Sequence, residues 1–93
     1  MTTDEWTAIE GAEFEAAREA ISHLMAIYTR LIRDEKAKLT PDKQRLDELY
    51  SDRGILHRER DELVIHDKEL IAKARTLYSA KVRAFLEQGI PPR

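Results

Sequence analysis

This sequence predicts an all-α fold: an antiparallel helical hairpin with one very long, heptad-patterned helix that is coiled-coil-like and dimerises into a helical bundle. Apolar side chains recur in steps of three and four residues along most of the chain, which is the spacing of one helix face. Only three glycines and three prolines occur in 93 residues, so few positions can interrupt a helix. Residues 1–93 are therefore expected to form a single unit with few turns.

The first helix is predicted over residues 4–37 and is followed by a turn over residues 38–41. Its core positions are Phe14, Ile21, Leu24, Tyr28 and Leu31. Thr40 is a good N-cap residue, and Pro41 suits the first position of a helix. The negative charge of Asp42 is favourable at the positive end of the helix dipole. Because the connection is short, the two helices on either side of it are expected to run antiparallel.

The second helix is predicted over residues 41–88, ahead of a short tail, 89–93, that begins with a glycine and contains two prolines. Its core leucines are spaced seven residues apart, at Leu49, Leu56, Leu63 and Leu70. Gly54 is the weak point, because glycine in a helix costs about 1 kcal/mol relative to alanine. The helix could bend or break at this glycine, and the alternative architecture is a three-helix chain broken near Gly54.

Charge is distributed unevenly along the chain. Residues 1–22 hold six acids and one base, whereas residues 70–93 hold five bases and one acid. In an antiparallel hairpin the acidic start of the first helix would lie beside the later part of the second helix, so opposite charges would meet.

The second helix is longer, and roughly 22 Å of it should project beyond the first. A partner must cover this end, and we expect a homodimer. The predicted partner-binding residues are Leu77, Tyr78, Lys81, Val82, Phe85 and Leu86, with Arg75 and Arg83 at the rim.

Residues that could carry chemistry are few. The two Glu-x-x-x-His pairs, Glu19 with His23 and Glu62 with His66, differ from the three-residue spacing of the di-metal carboxylate bundles. There is no glycine-rich phosphate loop and no cysteine, so thiolate metal sites and a cysteine nucleophile are excluded. The sequence therefore predicts a protein that is not an enzyme, with no catalytic residue, no metal and no cofactor.

These features predict a small protein–protein interaction module, acting as an adaptor, an inhibitor, or an antitoxin-like or chaperone-like protein. The alternative is a nucleic-acid-associated regulator that uses the basic C-terminal part of the long helix. A basic leucine zipper is excluded because Pro41 interrupts the continuous helix that such a protein needs. The acidic start and the lack of any apolar run near ~20 residues predict a cytoplasmic protein that does not enter a membrane.

Overall fold

The computed structural model describes residues 3–64 and 67–89, and it describes the side chains of residues 9–87 within those ranges. Within them it contains three α-helices and no strand: α1 (Thr3–Lys36), α2 (Lys43–Asp61) and α3 (Lys68–Gln88). The predicted all-α class is thus confirmed. The predicted second helix over residues 41–88 is wrong, because two helices occupy that part of the chain.

α1 is the central element, since α2 and α3 both pack against it. No Cα atom of α2 lies within 8 Å of a Cα atom of α3 in the described residues. The buried face of α1 follows the predicted helical spacing, in steps of three and four residues. Its buried apolar side chains are Ala17, Ile21, Leu24, Ile27, Tyr28 and Ile32.

α2 runs antiparallel to α1. The carboxylate of Asp42 accepts a hydrogen bond from the backbone N–H of Arg45 at 3.1 Å, so this aspartate, rather than Thr40, is the N-cap of α2. Farther along α2, Arg53 donates to the hydroxyl of Thr29 at 3.0 Å. One heptad later Arg60 donates to the hydroxyl of Ser22 at 3.0 Å. Residues later in α2 therefore contact residues earlier in α1, as in an antiparallel pair.

The chain reverses direction between α2 and α3. Glu62 is the C-cap of α2, and Asp67 is the N-cap of α3, where its carboxylate accepts from the backbone N–H of Leu70 at 3.0 Å. The backbone N–H of Asp67 also donates to the carbonyl oxygen of Val64 at 2.9 Å. The alternative of a three-helix chain has the right number of helices for the described residues, but its break near Gly54 is wrong, because Gly54 lies inside α2. The new helix after the reversal begins at a capping aspartate.

α3 runs parallel to α1 because of this reversal. Lys68 forms an ion pair with Glu10 at 3.3 Å, and Arg75 forms an ion pair with Glu13. At the other end of α3 the guanidinium of Arg30 lies over the ring of Phe85, 5.7 Å from its centre. The acidic start of α1 thus meets the basic C-terminal segment, as expected. The direction of that segment is opposite to the prediction, and its end does not project beyond α1.

The two outer helices are staggered along α1. α2 lies along residues 22–35 of α1, whereas α3 lies along residues 10–30. Both outer helices therefore flank α1 only between residues 22 and 30, which contain Leu24 and Tyr28. The molecule is elongated, with principal dimensions of 61 × 24 × 17 Å. Beyond the overlap, each half of α1 has a single helical neighbour within the described residues.

Glu35 is a buried carboxylate at the end of α1. It accepts hydrogen bonds from the ammonium of Lys38 at 2.8 Å and from the backbone N–H of Asp42 at 2.9 Å. Nε of Arg45 lies 3.7 Å from Oε1 of Glu35. The hydrogen bond from Lys38 contributes most to a lowered pKa of this carboxyl, followed by the one from Asp42, while burial opposes the shift.

Candidate functional site

A groove separates α2 from α3 where both helices flank α1. It has a volume of about 280 Å³. Leu24 and Tyr28 of α1 form its floor, and the two outer helices form its walls. The wall residues are Asp52, Ile55, Leu56 and Glu59 of α2 and Tyr78 and Lys81 of α3. The site therefore combines an apolar floor with charged groups on both sides.

The α2 wall belongs to an acidic flank of that helix. Its members are spaced in alternating steps of four and three residues, so they share one helix face: Glu48, Asp52, Ile55, Glu59 and Glu62. Ile55 stands at the centre of this flank and is 41% exposed. In the part of the chain that the structure describes, neither Asp52 nor Glu59 has an ion-pair or hydrogen-bond partner. An exposed isoleucine thus lies between two carboxylates that make no pair within the described residues.

The α3 wall belongs to a flank of opposite charge. Its members also recur at helical spacing: Leu70, Lys73, Leu77, Lys81 and Ala84. Leu70 is 38% exposed and Leu77 is 48% exposed. The ammonium of Lys81 lies 5.4 Å from the centre of the Tyr78 ring at the edge of the groove. Apolar and cationic side chains therefore alternate along this flank.

The predicted partner-binding set is divided between different faces of α3. Tyr78, Val82 and Phe85 are buried against α1, because the chain reversal places α3 beside α1. Lys81 is half-buried. The exposed members are Leu77, Leu86, Arg75 and Arg83. Only Leu77, Tyr78 and Lys81 lie on or beside the groove.

Val82, Arg83 and Leu86 lie in a second depression, of about 300 Å³, on the opposite flank of α3. Ala20, His23 and Ser79 complete its lining. Only α1 and α3 contribute described lining residues, so this depression lacks the second outer wall that α2 gives the first groove. The groove between α2 and α3 is therefore the better candidate site.

The predicted core residues are found in three environments. Ile21, Leu24, Tyr28, Leu49, Leu56 and Leu63 are buried. Phe14 and Leu31 are partly buried and pack against the core. Leu70 is partly exposed on the flank of α3, so its assignment to the core is wrong. In α3 the neighbouring stripe of Ile71, Tyr78 and Phe85 faces α1 instead.

The basic residues of the C-terminal segment do not form one surface. Arg75 pairs with Glu13 of α1, and Lys81 lies at the groove. Lys73 and Arg83 are exposed, but Arg83 lines the second depression, whereas Lys73 belongs to the flank beside the groove. A duplex-binding helix needs its cations along one face. This arrangement gives no specific support to the nucleic-acid alternative.

No group of three or more His, Cys, Asp or Glu side chains that could hold a metal ion occurs in the described residues. Of the histidine pairs, Glu19 and His23 are both exposed. His66 lies outside the described residues, so the second pair has no structural account. None of the helices, over their described lengths, is long and apolar enough to cross a membrane.

No protein-family model matches the chain, and neither a curated protein nor a solved structure is significantly similar to it. The class of the protein is therefore defined by its own geometry: among the described residues, two outer helices are staggered along a central one, with a groove between the outer two. Sequence reasoning missed the acidic wall, Asp52, Ile55 and Glu59, of this groove. The four-and-three spacing of that flank was a usable signal. The predicted single long helix, however, could not supply both walls of a groove.

Proposed function

We propose that this chain is a small, non-catalytic protein–protein interaction module that binds a helical segment of a protein chain in the groove between α2 and α3. The observation that carries the proposal is the exposure of Ile55 and Leu77 beside an apolar floor, with charged side chains at the rim. Adaptor, inhibitor, antitoxin-like and chaperone-like roles all fit such a module. The cytoplasmic location stays a prediction from the sequence.

The composition of the groove supports this proposal. Protein interfaces combine an apolar, aromatic centre with a polar rim. Here Leu24, Tyr28 and Tyr78 form the centre, and the charged side chains of Asp52 and Lys81 lie at its edges. A groove between two helices can accept the apolar face of a third helix, which then presents anchors at helical spacing. The buried centre and charged rim of this groove favour binding of a helix.

Co-purification from the cells that make the protein tests this proposal. Tagged wild-type protein is compared with Leu77→Glu, which places a carboxylate on the exposed part of the groove flank. Leu39→Glu is the matched control, because Leu39 lies in the fully exposed turn after α1, away from the groove. Circular dichroism establishes that all three proteins are equally helical.

We expect a specific partner to accompany the wild type and Leu39→Glu and to be lost from Leu77→Glu, since a buried unpaired charge at an interface is costly. A second copy of the chain, carrying a different tag, counts as such a partner. If the same proteins accompany the wild type and both variants in equal amounts, the groove is not the binding surface.

A further inference from the structure

We infer that the occupant of the groove is a second copy of this chain, with the α3 flank of each protomer against the α2 flank of the other around a two-fold axis. This inference rests on the proposed function and names its partner. The α2 flank is the set Glu48, Asp52, Ile55, Glu59 and Glu62, and the α3 flank is the set Leu70, Lys73, Leu77, Lys81 and Ala84.

The exposed apolar side chains of the two flanks are the first argument. Ile55 is 41% exposed on the α2 flank, and Leu70 and Leu77 are 38% and 48% exposed on the α3 flank. The centre of a protein interface is apolar, so a partner that covers both flanks would remove these side chains from water.

Charge complementarity is the second argument, and it selects a second copy over an unrelated helix. The α2 flank is acidic around Ile55, and the α3 flank carries Lys73 and Lys81 around Leu77. A two-fold interface uses the same surface of both protomers, so each contact between the two flanks occurs twice. Asp52 and Glu59 of one protomer would then meet Lys73 and Lys81 of the other. One chain carries both complementary halves.

The pairing is not made within one chain among the described residues. The two flanks belong to helices with no Cα atoms within 8 Å of each other in the described residues. The stagger along α1 also places Leu70 beyond the end of α2, where no α2 side chain can cover it. Asp52 and Glu59 accordingly have no partner among the described residues. The flanks of a second chain can supply the oppositely charged and apolar contacts that the staggered helices do not make with each other.

Sedimentation equilibrium of the full chain tests whether the second copy binds. At about 100 µM chain, a dimer whose dissociation constant is ~1 µM would be almost fully formed. Two charge-reversed proteins then test the face: an acid-to-base variant, Asp52→Lys with Glu59→Lys, and a base-to-acid variant, Lys73→Glu with Lys81→Glu. Each variant should weaken its own dimer about tenfold or more, because like charges then meet twice at the interface.

Mixing the two variants is the decisive measurement. In a mixed dimer, both flank-to-flank contacts again join opposite charges, so the heterodimer should form with nearly the wild-type dissociation constant. A quadruple variant that carries all four changes in one chain should also dimerise. Leu39→Glu is the control for an added surface charge. Circular dichroism must show wild-type helicity for every variant used.

Three outcomes would overturn the inference. The wild type is monomeric at this concentration, the charge-reversed variants dimerise as tightly as the wild type, or the mixture of the two variants fails to form a heterodimer. A monomeric wild type would leave the broader proposal standing if Leu77→Glu still abolished binding of a different protein. If Leu77→Glu keeps both the dimer and the partner, the inference and the proposed function are both wrong.

Discussion

The buried carboxylate of Glu35, in the last turn of α1, accepts a hydrogen bond from the backbone N–H of Asp42, the residue that caps α2. One side chain thereby fixes the end of α1 to the beginning of α2. Lys38, in the turn, donates to the other oxygen of the same carboxylate at 2.8 Å. The turn is thus held by a charged group, and its stability should depend on pH.

Glu35→Gln should destabilise the protein at neutral pH, and the loss should shrink in acid. The folded-state pKa of Glu35 lies below its ordinary value of 4.5, so the stabilisation is fully present above that value. It is lost as the pH falls through the folded-state pKa. Urea unfolding at pH 7, 5 and 3 measures the difference between wild type and variant. Glu15→Gln, an exposed glutamate of α1, is the control and should show a much smaller difference at pH 7. A pH-independent difference for Glu35→Gln would contradict this account.

Asp67→Ala should lower the free energy of unfolding by about 1 kcal/mol, because loss of an N-cap hydrogen bond has that effect. Asp42→Ala should have a similar effect, since it removes the equivalent bond at the start of α2. Asp47→Ala, an exposed position inside α2, is the matched control and should change stability by less than ~0.5 kcal/mol. Equal effects of Asp67→Ala and Asp47→Ala would argue against a helix start at Asp67.

Gly54→Ala should stabilise the protein by roughly 0.5–1 kcal/mol, because Gly54 is inside α2 and its added Cβ would meet no described atom within 4 Å other than the nearby backbone of its own helix. Gly89→Ala should do the opposite. Gly89 has a φ of +68° at the C-cap of α3, a conformation that a side chain strains. Thermal unfolding followed by circular dichroism measures both. A loss of stability in Gly54→Ala would instead favour a break at that glycine.

Leu49→Ala should cost 2–5 kcal/mol of stability, as for other large-to-small changes at buried leucines. Leu49 is 1% exposed, between α2 and α1. Leu86→Ala is the matched control, because Leu86 is 64% exposed, and it should cost less than about 1 kcal/mol. Chemical unfolding at a chain concentration that keeps the protein monomeric compares the two. Similar losses would mean that α3 packs on a different face.

Several parts of the fold follow from the sequence, because they depend on local spacing and charge. The all-α class and the buried face of α1 at Ile21, Leu24 and Tyr28 follow from the three-and-four periodicity. The attraction between the acidic start and the basic C-terminal segment follows from their net charges. These inferences do not depend on where the chain reverses direction, so the error in the second helix left them intact.

The reversal after α2 was decided by the tertiary structure. The leucine spacing continues unchanged from Leu63 to Leu70 across the reversal, so periodicity alone cannot locate it. The capping role of Asp67 is visible in the sequence only as one aspartate among many. What selects it is burial: folding back lets α3 hide Tyr78 and Phe85 against α1, whereas a projecting helix would leave them in water. The groove exists for the same reason, since its two walls come from helices that the sequence presented as one.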